Sequence, residues 1–288
     1  MGRIESAFAA MSPPARAWFQ RAFDAPTTAQ LGAWEAIRSG AATLVIAPTG
    51  SGKTLAAFFA ALDELTARPR DTAASPQRST SVLYISPLKA LAVDVERNLR
   101  APLAGIRQEA QRLALVPPDV TVGLRTGDPP AEERRRQRRH PPDILITTPE
   151  SLYLLLTSAA RETLTGVSTV IIDEIHAVAG GKRGTHLAVS LERLDHLLPK
   201  PAQRIGLSAT VRPVSTVARF LGGAQPVTVV AEPSQKVLDV RVEVPVEDMA
   251  DIGATTGPAE GSTAAEVGHT SIWPHVEERL VELIRAHT

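Results

Sequence analysis

The stretch A-P-T-G-S-G-K-T, residues 47–54, decides how the rest of the chain is read. It follows the apolar run T-L-V-I-A (43–47) and precedes a helical pattern over 53–67. A glycine-rich turn between a buried strand and a helix is the setting a phosphate-binding loop needs. Gly50 and Gly52, flanked by Thr49 and Ser51, let backbone N–H groups turn toward phosphate oxygens. Lys53 is placed to reach the β- and γ-phosphates, and the Thr54 hydroxyl to hold Mg2+. Ala47 stands where such loops usually begin with glycine.

Outward from this loop, apolar β-rich runs alternate with helical patterns. Strands are expected at 43–47, 81–86, 120–124, 144–147, 169–173 and 204–208. Helices are expected at 53–67, 88–100, 131–139, 150–160, 184–198 and 213–221. Near-continuous apolar strands separated by helices imply an α/β fold, a mostly parallel sheet with helices on both faces. The alternation stops near 222. V-L-D-V-R-V-E-V-P-V (237–246) has the period of a half-exposed strand, residues 247–270 read as a linker, and an amphipathic helix follows at 273–286. The expected organisation is N-terminal helices over 1–30, an ATP-binding lobe over 31–232, a crossing strand and linker over 233–270, and a further helix over 271–288.

The bulk properties exclude little but bound the chemistry. With 288 residues and 43% apolar content the chain has a core to bury. A formal net charge of zero leaves room for a locally basic cleft. There is no cysteine, so no disulfide framework and no thiolate zinc site. No apolar run approaches the ~20 residues of a membrane span, and the N-terminus lacks a signal-peptide core, so a cytoplasmic location is expected.

V-I-I-D-E-I-H (170–176) repeats the logic of the first loop, an apolar strand that delivers two acids to the C-terminal edge of the sheet. Asp173 is expected to hold Mg2+ through water, and Glu174 to orient or deprotonate an attacking water. A transition-metal site drawn from Asp173, Glu174, His176 and His186 is the alternative, and a solvated acidic turn a further one.

These motifs occur in company. P-T-x-x-Q (26–30), with Phe19 and Phe23 upstream, looks like the adenine-reading Q motif of superfamily 2 helicases. Then follow A-P-T-G-S-G-K-T, S-P-L-K-A-L (86–91), R-T-G-D (125–128), T-T-P-E-S-L (147–152), D-E-I-H (173–176) and S-A-T (208–210), in the order those helicases use. D-E-I-H-A-V-A-G-G-K-R-G-T-H-L-A-V-S-L-E-R-L (173–194) is similar to the large helicase-related (Lhr) family. The resemblance covers residues 15–288. It implies a RecA-like lobe of an ATP-dependent helicase that moves 3′ to 5′ on single-stranded DNA and unwinds duplexes, including RNA–DNA hybrids. DNA repair is its family-level setting.

The same resemblance distributes the side chains. Gln30 reads adenine and Phe23 stacks on it, residues 49–54 hold the phosphates, and Thr54 and Asp173 serve Mg2+. His176 couples the nucleotide site to Ser208 and Thr210. Lys89, Arg125, Thr126, Thr148 and Pro149 line a single-strand track. Thr148-Pro149-Glu150 also has the grammar of a helix start, whose N-terminus attracts a phosphate. The charge run E-E-R-R-R-Q-R-R-H (132–140) reads first as a solvated helix face, its glutamates pairing at i+3 or i+4, with a direct DNA contact as the alternative. Lys182-Arg183, after Gly180-Gly181, reads as local packing or capping, and the resemblance adds a role near the DNA or in lobe coupling.

Superfamily 2 motors close a second RecA-like lobe over the ATP, and its motifs are not found over 211–288. Residues 271–288 resemble the lead-in helix of that lobe. The missing C-terminal lobe and downstream domains are therefore expected partners, and this chain alone is expected to bind ATP weakly and turn over very slowly. A non-catalytic module binding ATP and single strands is the alternative, and a phosphate-loop ATPase unrelated to nucleic acid a third reading.

Overall fold

The structure is a computed structural model that describes residues 2–67, 79–127, 129–209, 211–231, 240–244 and 272–286. The chain separates into two units, Met1–Ser234 and Gln235–Thr288. The first opens with helices α1 (Arg3–Ala9), α2 (Pro13–Ala22) and α3 (Thr28–Arg38). Strand β1 (Ala42–Ile46) runs into α4 (Lys53–Ala67), β2 (Val82–Ile85) into α5 (Lys89–Arg112), and β3 (Val122–Arg125) into α6 (Ala131–Arg139). Strand β4 (Ile144–Thr147) leads to α7 (Pro149–Leu156) and a 3-10 turn over Ala159–Leu164. Strand β5 (Thr169–Ile172) leads to the short α8 (His176–Ala179) and then α9 (Lys182–Leu197). Strand β6 (Gln203–Ser208), α10 (Val214–Gly222) and β7 (Val227–Ala231) complete the unit.

The strands form one parallel sheet in the order β3-β4-β2-β5-β6-β1-β7. Alternate residues of each strand feed two apolar layers, as the pleat requires. Val45, Tyr84, Ile146, Ile171 and Leu207 pack under α2, α3, α4 and α5. Leu44, Ile46, Leu83, Leu145 and Ile172 pack under α7, α8, α9 and α10. Burial on both faces is why the strands read as unbroken apolar runs. Trp34 of α3 anchors the first layer. It is fully buried, its Nε1 donates to the Ala56 carbonyl of α4 at 3.1 Å, and its ring lies 5.3–5.4 Å from those of Phe19 and Phe59.

The expected alternation, and its six strands and six helices, are all present, most of them with shifted ends. Three differences have physical reasons. Helix α5 continues past residue 100 to Arg112 with Pro102 inside it. Its stripe Val95, Leu99, Pro102, Ile106 and Ala110 is buried, so packing overrides the lost backbone donor. Strand β7 was not expected. It is an edge strand with half-exposed side chains, and its order comes from pairing with β1 rather than from a buried pattern of its own. The strand expected at 237–246 is absent at residues 240–244, and the rest of it, with the linker, lies outside the described residues.

In the second unit, α11 (Trp273–Ala286) is amphipathic and buries none of its side chains. Arg279 pairs with Glu243 at 2.7 Å and Glu282 at 2.9 Å. Among the described residues no helix is long and apolar enough to cross a membrane.

Because Trp34 joins α3 to α4 at the centre of its layer, Trp34→Ala is expected to cost about 3–5 kcal/mol. Chemical denaturation monitored by far-UV circular dichroism measures the difference.

Candidate functional site

A parallel sheet sends every strand-to-helix loop out at one edge. The neighbouring strands β5, β6 and β1 bring D-E-I-H, Ser208 and the 47–54 loop together there. The other half of the edge, β2, β4 and β3, carries S-P-L-K, T-T-P-E and R-T-G.

In the 47–54 loop Gly50 and Gly52 have φ of +85° and +80°, a conformation that glycine alone adopts without strain. A Cβ at Gly50 would meet nothing within 4 Å, and one at Gly52 would lie 2.6 Å from Gln30 Nε2. The loop is braced from α3: Thr27 Oγ1 donates to the Ser51 carbonyl at 3.1 Å, and Gln30 Nε2 to the Gly52 carbonyl at 3.5 Å. The first N–H groups of α4 have no partner within the helix and open beside this loop. Thr49 is exposed and Thr54 half-buried. Ser51 Oγ is buried without a hydrogen-bond partner, an orphan that a ligand oxygen would satisfy.

Lys53, 5% exposed, places Nζ 3.6 Å from Glu174 Oε1. Asp173 is also buried, and its carboxylate accepts from Glu174 N at 2.9 Å and from the Tyr84 hydroxyl. Burial raises the Asp173 carboxyl above its usual range against the lowering effect of the Tyr84 hydrogen bond. Burial first, then the Asp173 charge, pushes the Tyr84 phenol well above its own. Glu174 has a positive φ of 42°, which a residue with a Cβ holds only where its surroundings impose it. His176 Nδ1 lies 3.1 Å from Ser208 Oγ and 3.4 Å from Glu174 Oε2. Thr210 lies outside the described residues. Among the described residues no group of three or more His, Asp or Glu is placed to hold a metal ion.

The Gln30 side chain has a second duty. Its Oε1 accepts from Thr27 N at 2.9 Å while Thr27 Oγ1 accepts from Gln30 N at 3.2 Å, a capping box. The pattern T-x-x-Q signals this in the sequence. Phe23 is 40% exposed with its ring 4.8 Å from that of Phe19, which is fully buried and belongs to the core.

On the other half of the edge, Lys89 Nζ lies 2.9 Å from the position a Gly127 Cβ would occupy. Thr147 Oγ1 donates to the Arg125 carbonyl at 2.7 Å, and Ser151 Oγ accepts from Gly127 N at 3.0 Å. Arg125 and Thr126 are half-buried. Thr148 caps α7 by accepting from Ser151 N at 3.4 Å, and both Thr148 and Pro149 are buried. Their side chains build the helix start, and what α7 offers outward is its terminal N–H groups.

Two residues outside the expected set join these halves. Tyr84 of β2 pairs with Ile171 of β5, and Asp173 is two residues further along, on the same face. Arg183, at the start of α9, grips Glu150 of α7 with two contacts of 2.5 and 2.9 Å. That hydrogen bond is the main cause that lowers the Glu150 carboxyl to about 2. Lys182-Arg183 is thus a bridge between loops, which spacing alone does not reveal.

Residues 27–219 match the DEAD/DEAH box helicase family. The chain belongs to that family. It is 60% identical over 272 residues to the Lhr helicase/probable uracil glycosylase of Mycolicibacterium smegmatis, covering 94% of this chain and 17% of the relative. It is 56% identical over 279 residues to the Lhr helicase/uracil glycosylase of Escherichia coli, covering 96% of this chain and 18% of the relative. The chain thus spans less than a fifth of the length of these relatives. The solved structure of Mycobacterium smegmatis helicase Lhr bound to ssDNA and AMP-PNP is 57% identical. It superposes with a TM-score of 0.81 over 97% of this chain and 33% of that one. The fold of this DEAD/DEAH lobe is RecA-like.

Two outcomes follow from the bridges. The Glu150 carboxyl has a folded value below its unfolded one, so the Arg183 pair contributes stability above the ordinary glutamate range and loses it as pH falls toward 2. Both side chains are substantially exposed, which limits the contribution to ~0–1 kcal/mol. NMR titration is expected to show Glu150 returning to the ordinary range in Arg183→Ala. Tyr84→Phe strips the buried Asp173 carboxylate of a donor and is expected to cost about 1–3 kcal/mol at neutral pH. Asp173 has a raised folded value that loss of the Tyr84 donor raises further, so this cost grows as pH rises from the first value toward the second. Thermal melts across pH 4–8 check the trend; a cost independent of pH would place the lost energy elsewhere.

Proposed function

We propose that this chain is the ATP-binding motor lobe of a 3′-to-5′ DNA helicase, a single-strand-dependent ATPase that in complete form also unwinds RNA–DNA hybrids. The observation that carries the reading is the convergence of Lys53, Asp173, Glu174 and Ser208 from three neighbouring strands at one sheet edge. Residues 1–30 supply the adenine-side helices, 31–232 the lobe, 233–270 the crossing segment, and 271–288 the start of a second lobe. The setting is cytoplasmic.

The roles follow from chemistry. The N–H groups of residues 49–54 bind the phosphates, and the Lys53 ammonium neutralises them once it leaves Glu174. Thr54 and Asp173, the latter through water, hold Mg2+, which supplies charge stabilisation at the phosphates. The Glu174 carboxylate, close enough to pair with Lys53, takes the proton of the attacking water. Gln30 retains one donor hydrogen and one acceptor lone pair for adenine, and Phe23 offers an exposed ring to stack on it. His176, Ser208 and Thr210 link the hydrolytic site to the partner lobe. Lys89, Arg125, Thr126 and the α7 start at Thr148-Pro149 hold single-strand phosphates without reading bases.

In other NTPases a transition-state arginine is worth ~10³–10⁵ in rate. Where the partner lobe supplies that arginine, residues 1–288 alone bind nucleotide weakly and hydrolyse it very slowly. Lys53→Ala is expected to weaken binding of a fluorescent ATP analogue by about 10–100-fold, the worth of charge-assisted hydrogen bonds. Unchanged binding in that variant would remove the nucleotide site from this reading. Vigorous DNA-stimulated turnover by residues 1–288 would instead refute the dependence on a second lobe.

A further inference from the structure

The arginine run of α6 does more than its sequence suggests. Ala131, Arg134, Arg135 and Arg138 recur at i, i+3, i+4 and i+7, one face of the helix, and all four line a cavity of about 620 Å³. The facing wall is Ser151, Leu154 and Ser158 of α7 and the turn that follows it, and Arg125 and Gly127 close one end. One of the two glutamates of the run is engaged on the opposite face. Glu133 pairs with Arg136 at 3.1 Å and accepts from Gln137 at 3.1 Å, while Gln137 Nε2 also donates to the Leu124 carbonyl of β3 at 3.0 Å. That opposite face fixes the helix to the edge strand. The described residues lining the cavity include no carboxylate; Arg125 and Arg134 are engaged, and among the described residues no ion pair involves Arg135 or Arg138.

We propose that the groove between α6 and α7 binds the phosphodiester backbone of nucleic acid, extending the path assigned to Lys89, Arg125 and Thr148. The inference rests on that reading of the sheet edge. Three features select this ligand chemistry. Guanidinium groups match phosphate oxygens two at a time, and the run holds arginine at each cationic position. Arg134 and Arg138 stand about 6 Å apart along the axis, so they can meet different phosphates rather than compete for one. The groove begins at Arg125 and Gly127, against which Lys89 Nζ packs, so a strand crossing that loop is led into it. The backbone could belong to the continuing single strand or to the duplex ahead of it.

The test uses the full 288-residue chain and fluorescence anisotropy of labelled oligo-dT of about 10 and 25 nucleotides and of a blunt duplex, titrated between ~50 and ~200 mM salt. In Arg135→Ala/Arg138→Ala, affinity at ~0.1 M salt is expected to fall on the order of tenfold. The logarithmic salt slope is expected to shrink by ~1.4 on a single strand or ~1.8 on a duplex. Loss confined to the longer oligo-dT assigns the continuing strand; loss on the duplex assigns the duplex. Arg135→Lys/Arg138→Lys is expected to keep most of the slope, and both variants to melt with the unaltered chain because these side chains are exposed. If Lys89→Ala weakens binding and the double alanine variant does not, the groove is refuted and the proposed function stands. If the unaltered chain shows no salt-sensitive binding to any of these probes, both fall. A defect seen only toward a polyglutamate peptide would give the face to an acidic polypeptide and overturn the inference.

Discussion

Because all seven strands run parallel, each strand that enters a helix releases its loop at the same edge of the sheet. The other features of the site depend on that constraint. Residues 126 positions apart, Gly50 and His176, become neighbours in function because β1 and β5 flank β6. The cost is that both faces must be covered, and the two helical layers do so with apolar side chains taken alternately from each strand. The edge is left as a place where polar groups can gather.

The gathered polar groups are held by each other. Lys53 and Asp173 are buried charges, which are costly unless paired and hydrogen-bonded. Lys53 has Glu174, and Asp173 has the Tyr84 hydroxyl and a backbone N–H. The positive φ of Glu174 belongs to the same economy of space. It turns the carboxylate back toward Lys53 and His176 within one residue of Asp173. Any cation or phosphate entering here competes with contacts already made, so nucleotide affinity is the difference between two paired arrangements.

What was legible in the sequence had a strand immediately before it. The 47–54 loop, D-E-I-H and S-A-T each follow an apolar run, and a parallel sheet places such loops without further information. Tyr84 was hidden because a tyrosine in V-L-Y-I reads as core; only the pairing of Tyr84 with Ile171 puts its hydroxyl beside Asp173. Arg183 and Glu150 are 33 positions apart on helices whose packing no local pattern announces. Gln30 was read as a ligand contact, yet its first neighbours are its own helix cap and the Gly52 carbonyl. Strand β7 was missed for the opposite reason, since an edge strand with one partner need not carry a buried stripe.

The two halves of the edge, joined in the sheet by the β2–β5 ladder, also touch through side chains beyond it. Tyr84 reaches from β2 to Asp173, and Arg183 reaches from the helix after D-E-I-H to Glu150. Lys89, four residues past β2, packs over Gly127, whose N–H is tied to Ser151 of α7. These contacts form a contiguous route between the halves, but a route is not a motor. Coupling requires an element with two arrangements that both ligands bias. The sheet itself does not provide one, since a close-packed core buried on both faces resists graded deformation. An element with two arrangements is therefore to be sought in the loops at the edge rather than in the sheet.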